Sequence, residues 1–133
     1  MIFVDSNVPM YMVGATHPRK LQALAALEAL TIGRERLATS AEVFQEILRR
    51  YSVAGRYDRL QEAFDALEQV VDIVFPVTKH DVQEAKDIAV SRRGFSARDA
   101  VHAAVMKRHG ITEILTFDRG FDQLPWVERL PRD

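Results

Sequence analysis

The residues best suited to chemistry in this sequence are four widely separated acids, Asp5, Glu46, Asp99 and Asp118. Carboxylates that share one crevice repel each other, and burial raises their pKa values unless a cation compensates. The chain has no cysteine, and a site built from oxygen ligands favours Mg²⁺ or Mn²⁺ over zinc. Because Mg²⁺ keeps several waters and bridges to substrate phosphates, these acids indicate phosphoryl-transfer chemistry if they converge.

Short apolar segments alternate with helical segments along the chain. The predicted strands cover residues 1–5, 36–39, 72–75, 113–116 and 127–130. The predicted helices cover residues 7–12, 18–30, 40–51, 57–70, 78–92 and 96–109, with a turn or short helix at residues 118–123. Such alternation is typical of a parallel sheet covered by helices on both faces. We therefore predict one α/β domain over residues 1–133, a three-layer α/β/α sandwich with a central parallel sheet of four to five strands.

Two of these helices carry apolar residues whose spacing marks one helical face. The first pattern, in residues 18–30, consists of Leu21, Leu24, Leu27 and Leu30. The second pattern, in residues 78–92, consists of Val82, Ala85, Ile88 and Ala89, which we expect to point inward.

The predicted strand ends place three of the four acids near one edge of the sheet. In open parallel α/β sheets, ligands bind in the crevice beyond the carboxyl ends of the strands. Asp5 ends the first strand, Asp118 follows the fourth strand by two residues, and Asp99 lies in the first turn of a helix. Glu46 lies within the helix after the second strand, and it reaches this edge only if that helix leans over it.

Each of these three acids also has a purely structural interpretation. Asp5 could form an Asx turn or cap the short helix that follows it. Asp99 stands three residues after Ser96, as in a capping box, and would favour the positive end of its helix. Asp118 precedes Gly120 by two residues, which is equally typical of a turn. The sequence leaves both interpretations open for each acid.

Glu42 competes with Glu46 for the second position in the group. Thr39 and Glu42 have the spacing of a capping box, which gives Glu42 a structural role. At ~100° per residue, Glu46 lies roughly 40° closer than Glu42 to the apolar side of the helix. We therefore prefer Glu46, although an ion pair with Arg49 or Arg50 at helical spacing would also explain it.

The composition is that of an ordinary globular domain. Hydrophobic residues make up 47% and charged residues 28% of the 133 residues, which suffices for a buried core. No segment approaches the ~18 apolar residues of a membrane span, and the first residues lack the pattern of a leader. The net charge is −1, with arginine in excess over lysine, a bias that mildly favours phosphate-bearing partners. We expect a soluble, cytoplasmic protein in a reducing compartment.

Four short motifs, in their order and spacing, resemble the PIN-domain nucleases, and within them the VapC-type toxins of toxin–antitoxin pairs. The matching stretches are IFVDSN at residues 2–7, TS at 39–40 with EIL at 46–48, SARDAVHAA at 96–104, and ILTFDRGF at 114–121. These motifs span nearly the whole chain. The resemblance therefore implies a PIN-like fold for the α/β domain predicted above.

The resemblance also implies roles for individual residues. Asp5, Glu46, Asp99 and Asp118 would be the catalytic acids and would hold Mg²⁺ or Mn²⁺ for hydrolysis of RNA. Three residues would support them: Asn7 and Thr116, which orient the first and last acids, and Asp122 as an outer acid. His102 lies on the same predicted helix as Asp99, and we interpret it as a packing or supporting residue, not a proton carrier.

Partners follow from the same resemblance. It implies an RNA substrate, a cognate antitoxin protein and, commonly, a homodimer. A candidate groove for the antitoxin lies between the predicted helices at residues 40–51 and 57–70, whose apolar faces would equally suit ordinary core packing or a dimer surface. The main alternative is a non-catalytic PIN-fold module that binds RNA or a protein. Other phosphoryl-transfer enzymes fit less well, since Asn7 replaces the second aspartate of haloacid-dehalogenase-type phosphatases and no phosphate-binding glycine-rich loop is present.

Overall fold

A five-stranded parallel sheet with six α-helices around it forms the fold. The computed structural model describes residues 1–132. The strands are β1 (Ile2–Val4), β2 (Leu37–Ser40), β3 (Ile73–Phe75), β4 (Glu113–Leu115) and β5 (Glu128–Leu130). The helices are α1 (Asn7–Val13), α2 (Pro18–Ile32), α3 (Ala41–Val53), α4 (Tyr57–Val70), α5 (Lys79–Ser91) and α6 (Ala97–Arg108), and a short 3-10 helix, Arg119–Gln123, follows β4. The predicted α/β sandwich is confirmed.

The strands are arranged in the order β3–β2–β1–β4–β5, and all neighbours are parallel. β1 therefore lies at the centre of the sheet, between β2 and β4. Its three residues, Ile2–Val4, are buried, as expected for a strand covered on both faces. The edge strand β3 leaves Ile73 and Val74 partly exposed. The carboxyl ends of β1, β2 and β4 meet at one edge, which is where a ligand crevice forms in such sheets.

The helices pack against each other as well as against the sheet. α5 packs on α6, α1 packs on α2 and α4, and α3 contacts both α4 and α6. The contact between α3 and α6 matters for the site, because these two helices lie far apart in sequence. Within residues 1–132, no helix is both long and apolar enough to cross a membrane.

The observed elements begin and end within two residues of the predicted ones. The largest differences are of two residues: α2 was expected to end at Leu30 and continues to Ile32, and α3 was expected to end at Tyr51 and continues to Val53. Gly33 closes α2, and its N–H binds the carbonyl oxygen of Ala29 at 3.0 Å. α2 continues for two residues past Leu30, the last leucine of the periodic pattern, because its C-cap residue is Gly33.

The capping box predicted for Thr39 and Glu42 is wrong. Thr39 belongs to β2, is fully buried, and donates its hydroxyl to the carbonyl oxygen of Val4 at 2.9 Å. Ser40 is the N-cap residue of α3 and makes no side-chain capping bond. A complete capping box occurs instead at α5, where Thr78 and Asp81 bind each other's backbone N–H groups.

Two predicted apolar faces are only partly buried. In α2, Leu27 is buried, whereas Leu21 is 71% and Leu24 is 42% exposed. In α5, Ala85 is buried, whereas Val82 is 52% exposed, so the expectation that Val82 points inward is wrong. Both helices lie on the outside of the molecule and bury a narrower face than the apolar spacing indicates.

Candidate active site

Asp5 directly follows β1 and is buried at the carboxyl edge of the sheet. Its Oδ1 accepts a hydrogen bond from the backbone N–H of Ser6 at 2.7 Å, and its Oδ2 accepts one from the hydroxyl of Thr116 at 2.8 Å. The N-cap residue of α1 is Ser6, so Asp5 does not cap that helix. Its carboxylate is instead held by groups at the ends of two adjacent strands.

The Thr116 hydroxyl connects the ends of β1 and β4. It donates to Asp5 and accepts hydrogen bonds from Nδ2 of Asn7 and from the backbone N–H of Asp118, both at 3.0 Å. A hydroxyl has one proton to donate and two lone pairs, so this group has no free hydrogen-bonding capacity. Asn7 also accepts a hydrogen bond from the backbone N–H of Phe117 at 3.3 Å. Asn7 and Thr116 thus orient Asp5 and the loop that carries Asp118.

Glu46 reaches the same edge from α3, and its side chain is buried. Its Oε2 lies 3.0 Å from Nε of Arg98, and its Oε1 lies 3.2 Å from Nε2 of His102. Both partners belong to α6, so among the described residues Glu46 does not pair with Arg49 or Arg50 of its own helix. α3 therefore packs close enough to α6 for Glu46 to contact two of its residues, as expected for a side chain near the apolar face of the helix.

His102 lies between two of the acids and is fully buried. Its Nε2 is 3.2 Å from Oε1 of Glu46 and 3.7 Å from Oδ1 of Asp5. Its Nδ1 is buried and has no hydrogen-bond partner among the described residues. From its sequence position, His102 was predicted to be a packing or supporting residue. Its ring does lie 5.6 Å from that of Phe3, but His102 also contacts the carboxylates of Asp5 and Glu46. The available signal was its position one helical turn after Asp99.

The carboxylates of Asp99 and Asp118 both lie close to Gly120. A methyl group added to Gly120 would lie 3.1 Å from Oδ1 of Asp118 and 3.8 Å from Oδ2 of Asp99. The predicted capping and turn contacts are also present: Ser96 accepts from the N–H of Asp99 at 3.1 Å, and Asp118 accepts from the N–H of Gly120 at 2.8 Å. These contacts use the backbone of Asp99 and one oxygen of Asp118, so both acids can still take part in the site.

The charges of the acids act on one another. Burial and the nearby charge of Asp5 raise the pKa of Asp99 to about 7, with a smaller contribution from Asp118 and an opposing one from His102. Burial also raises the pKa of Asp5, although the positive charge of His102 opposes this effect. Near neutral pH the group therefore does not carry its full negative charge unless a cation joins it.

Glu46 and His102 have pKa shifts of the opposite kind. Burial is the largest single effect and disfavours both charged forms, but the mutual hydrogen bond and the nearby opposite charges together outweigh it. The pKa of Glu46 is therefore lowered, with help from Arg98, and the pKa of His102 is raised, with help from the charge of Asp5. The two residues favour an ion pair inside the site.

Residues 2–127 match the PIN domain family. The chain belongs to the PIN-domain family. It is 52% identical to ribonuclease VapC13 of Mycobacterium tuberculosis over 130 residues, which cover 98% of this chain and 99% of that protein. The resemblance drawn from the four motifs is thereby confirmed.

Two solved structures show the same PIN-domain architecture. The structure of VapC20 of Mycobacterium tuberculosis, described as a sarcin–ricin loop cleaving toxin, has a TM-score of 0.73 and 27% identity, over 96% of this chain and 98% of that chain. The structure of VapBC2 from Rickettsia felis, bound to a DNA fragment from its promoter, has a TM-score of 0.73 and 16% identity, over 97% of both chains. The second similarity concerns the fold alone.

The donor atoms of this PIN-domain site fit a metal ion. One ligand atom each from Asp5, Glu46 and His102 lie within 4.8 Å of one another. Asp99 and Asp118 do not belong to that group of three, but they lie beside Gly120, and the charges of Asp5 and Asp118 both act on Asp99. Carboxylate oxygens suit Mg²⁺ and Mn²⁺. The raised pKa of Asp99 shows that the protein alone does not fully compensate the negative charge of the carboxylates.

Two other acids lie outside this group. Asp122 belongs to the 3-10 helix and forms an ion pair with Arg129, whose Nε is 3.1 Å from Oδ1 of Asp122. Glu42 lies in the first turn of α3, one turn before Glu46 and outside the cluster. The structure thus brings together Asp5, Glu46, Asp99 and Asp118 with Asn7 and Thr116, and it leaves Asp122 aside.

Proposed function

We propose that this PIN-domain protein is a metal-dependent endoribonuclease and the toxin of a type II toxin–antitoxin system. Asp5, Glu46, Asp99 and Asp118 would be its catalytic residues. The observation that carries the proposal is the meeting of these acids at the carboxyl edge of the sheet, where burial and mutual repulsion raise the pKa of Asp99 to about 7. Identity of 52% with a protein named as a ribonuclease supports the choice of RNA as substrate.

The metal would be held by Asp5, Asp99 and Asp118, with Glu46 completing the site. We favour Mg²⁺ or Mn²⁺ because the ligands are mostly carboxylates. When bound, such an ion supplies Lewis-acid chemistry, since it lowers the pKa of a coordinated water and neutralises phosphate charge.

The remaining residues keep these acids in place. Thr116 and Asn7 fix Asp5 through hydrogen bonds of 2.8 and 3.0 Å. His102 and Arg98 hold the two oxygens of Glu46, so that Glu46 remains ionised in a buried position. Groups of this kind, which orient a ligand without binding substrate, tune metal affinity and activity.

An antitoxin protein is the proposed partner, and the 27% identity with VapC20, which is described as a toxin, supports it. Phe44 and Phe64 fill the space between α3 and α4 with their rings 5.0 Å apart. Exposed apolar side chains remain near the ends of these helices at Leu48, Val53 and Tyr57. An antitoxin segment or a second copy of the chain would cover them, and we propose that the protein acts in the cytoplasm, where its RNA substrates are.

The alternative of a non-catalytic PIN module receives little support. A binding module has no need of several buried carboxylates that destabilise one another, because such repulsion costs free energy without improving affinity for an anion. All four acids are present here and come together. We therefore keep the nuclease as the proposed function.

The direct test is cleavage of single-stranded and hairpin RNAs by the purified protein with Mg²⁺ or Mn²⁺. We expect internal cleavage that EDTA abolishes, and a loss on the order of a thousandfold in Asp99→Asn. Asp122→Asn is the matched control, because it removes the same charge from an acid outside the group. If Asp99→Asn cleaves RNA as fast as Asp122→Asn does, the proposal is wrong.

A further inference from the structure

A second feature of the molecule, which we call the aromatic pocket, opens beside the carboxylates. It has a volume of about 380 Å³ and is lined chiefly by Asn7, Tyr11, His17, Arg50 and Tyr51. None of the residue roles proposed above uses its rings or its arginine. Its size is that of a small-molecule site, with room for a planar ring system.

The aromatic rings of the pocket are held in fixed positions. Tyr11 and His17 stack with centroids 5.2 Å apart and an interplanar angle of 28°. His17 is the N-cap of α2, and its Nδ1 accepts a hydrogen bond from the N–H of Arg19 at 3.0 Å. Tyr11 also meets Phe117 edge to face at 5.6 Å. A planar ligand would therefore find aromatic faces that need no rearrangement before binding.

The pocket is positively charged on one side. Arg50 lines it from α3 and is exposed to solvent. Arg56 and Arg59 lie close enough to Tyr51 for their charges to act on its hydroxyl, although each also pairs with an acid of α4. Aromatic faces next to an arginine are the combination that binds an unpaired base and its phosphate.

The pocket and the carboxylate group share two structural elements. Asn7 lines the pocket and binds Thr116, which in turn binds Asp5. On α3, Glu46 and Arg50 are four residues apart, which places them on neighbouring turns of one helix face. The pocket therefore adjoins the carboxylate group through shared residues, and a single RNA chain would reach both.

We propose that the aromatic pocket binds one unpaired nucleobase of the RNA, next to the phosphodiester bond that the carboxylates cleave. The base stacks against the Tyr11–His17 pair, and Arg50 binds a neighbouring phosphate. The inference rests on the proposed nuclease function and adds to it a site that selects single-stranded RNA. A pocket that accepts a base only when it is free of its partner strand would place cleavage in loops and unpaired regions.

The test uses single-stranded RNA oligonucleotides in which 2-aminopurine replaces one base at a time along the chain. Binding in Mg²⁺ buffer is followed by fluorescence with the Asp99→Asn variant, and cleavage of the same RNAs by the wild type is measured separately. We expect quenching of 2-aminopurine at one position, adjacent to the cleaved bond. His17→Asn, which keeps an N-cap side chain for α2 but removes the ring, should abolish that quenching and weaken binding about tenfold.

Two conservative variants serve as controls. Tyr11→Phe keeps the stacked ring and should retain both quenching and affinity, so a general loss of structure is excluded. Arg50→Gln should weaken binding severalfold more than Arg49→Gln, because both remove one exposed charge from α3 but only Arg50 lines the pocket.

The outcomes separate the two proposals. RNA that binds and is cleaved without position-specific quenching, or with an unchanged affinity in His17→Asn, overturns the pocket and leaves the nuclease intact. Quenching that depends on His17 without any cleavage by the wild type keeps the pocket and overturns the nuclease. If His17→Asn and Arg50→Gln leave RNA binding unchanged but release a co-expressed antitoxin, the pocket docks a protein and the proposal is wrong.

Discussion

The Thr116 hydroxyl donates a hydrogen bond to Oδ2 of Asp5 at 2.8 Å. The contact joins the ends of β1 and β4, which are paired in the sheet but far apart in sequence. This single contact couples the first acid of the site to the loop that carries the last one, because Thr116 also accepts a hydrogen bond from the N–H of Asp118. The geometry of the site therefore depends on a side chain that has no charge of its own.

Replacing Thr116 by valine should impair the site without unfolding the protein. Valine has nearly the same shape but cannot donate to Asp5 or accept from Asn7, so the carboxylate loses its fixed orientation. We expect RNA cleavage to fall about 10- to 100-fold, the usual effect of removing a group that orients a metal ligand. The measurement is kcat and the apparent metal affinity; Thr116→Ser, which keeps the hydroxyl, should retain most of the activity.

The metal-free protein should lose stability as the pH rises from about 4 to 7. The pKa of Asp99 is raised to about 7, so the folded state holds its proton more tightly than the unfolded chain and the stabilising effect disappears as the proton is lost. Asp99→Asn should remove this loss and be more stable than the wild type at pH 8, by roughly 1–3 kcal/mol. Thermal melting in EDTA at pH 5 and pH 8 measures this loss of stability, with Asp122→Asn as the control variant. A wild-type protein that is equally stable at both pH values would contradict the raised pKa of Asp99.

Metal binding should release protons. Because Asp99 is partly protonated near its pKa of about 7, a divalent ion that uses this carboxylate must displace a proton. We expect Mn²⁺ to raise the melting temperature more at pH 8 than at pH 6. Titration calorimetry in two buffers of different ionisation enthalpy should give a proton release of roughly half per ion at pH 7. A release near zero at pH 7, with tight binding, would exclude Asp99 from the metal ligands.

Glu46 and Glu42 provide a direct test of which glutamate of α3 belongs to the site. Glu46→Gln removes a buried charge that pairs with Arg98 and His102, so we expect cleavage to fall by about a hundredfold or more. Glu42→Gln changes a side chain outside the cluster and should have less than about a twofold effect. Equal losses in both variants, or a larger loss in Glu42→Gln, would show that the wrong glutamate was chosen.

Asp81 should behave as a structural acid, in contrast to the acids of the site. It is buried, completes the capping box of α5 and pairs with Arg108 at 2.7 Å. Asp81→Ala should therefore lower the free energy of unfolding by roughly 2 kcal/mol. This loss is smaller than the loss from breaking a fully buried ion pair, because Arg108 is partly exposed. Urea denaturation measures the loss, and kcat of the folded variant should stay close to that of the wild type.

The strands and the positions of Asp5 and Asp118 could be anticipated because they depend on local patterns, whereas the order β3–β2–β1–β4–β5 was not predicted and depends on how the elements pack. An apolar run without alternation predicts a buried parallel strand, and the acids that follow such strands share one edge of the sheet. Glu46 could be anticipated from helical geometry, since its position near the apolar face predicts a partly buried side chain. The capping box that helped to exclude Glu42 was wrong, however. Thr39 uses its hydroxyl to bind the carbonyl oxygen of Val4 in the neighbouring strand, and no local pattern predicts that contact.

His102 and the aromatic pocket depend on how elements pack, and local patterns do not contain that information. A histidine in a helix rich in alanine and valine has the pattern of a core residue, and its contact with Glu46 arises only from the packing of α3 on α6. The pocket likewise requires α1, the start of α2 and the end of α3 to meet. The exposed Leu21 and Leu24 illustrate the same limit, since the width of a buried face is set by the neighbouring elements.

The central place of β1 has a consequence for the order in which the protein becomes active. This strand carries residues 2–4, whereas its neighbour β4 carries residues 113–115 and is synthesised more than a hundred residues later. Until Thr116 and Asp118 have been synthesised, Asp5 lacks its hydrogen-bonding partner and the fourth acid is missing. Under the proposed nuclease function, a chain that ends before residue 113 should therefore fail to cleave RNA, because its site is incomplete.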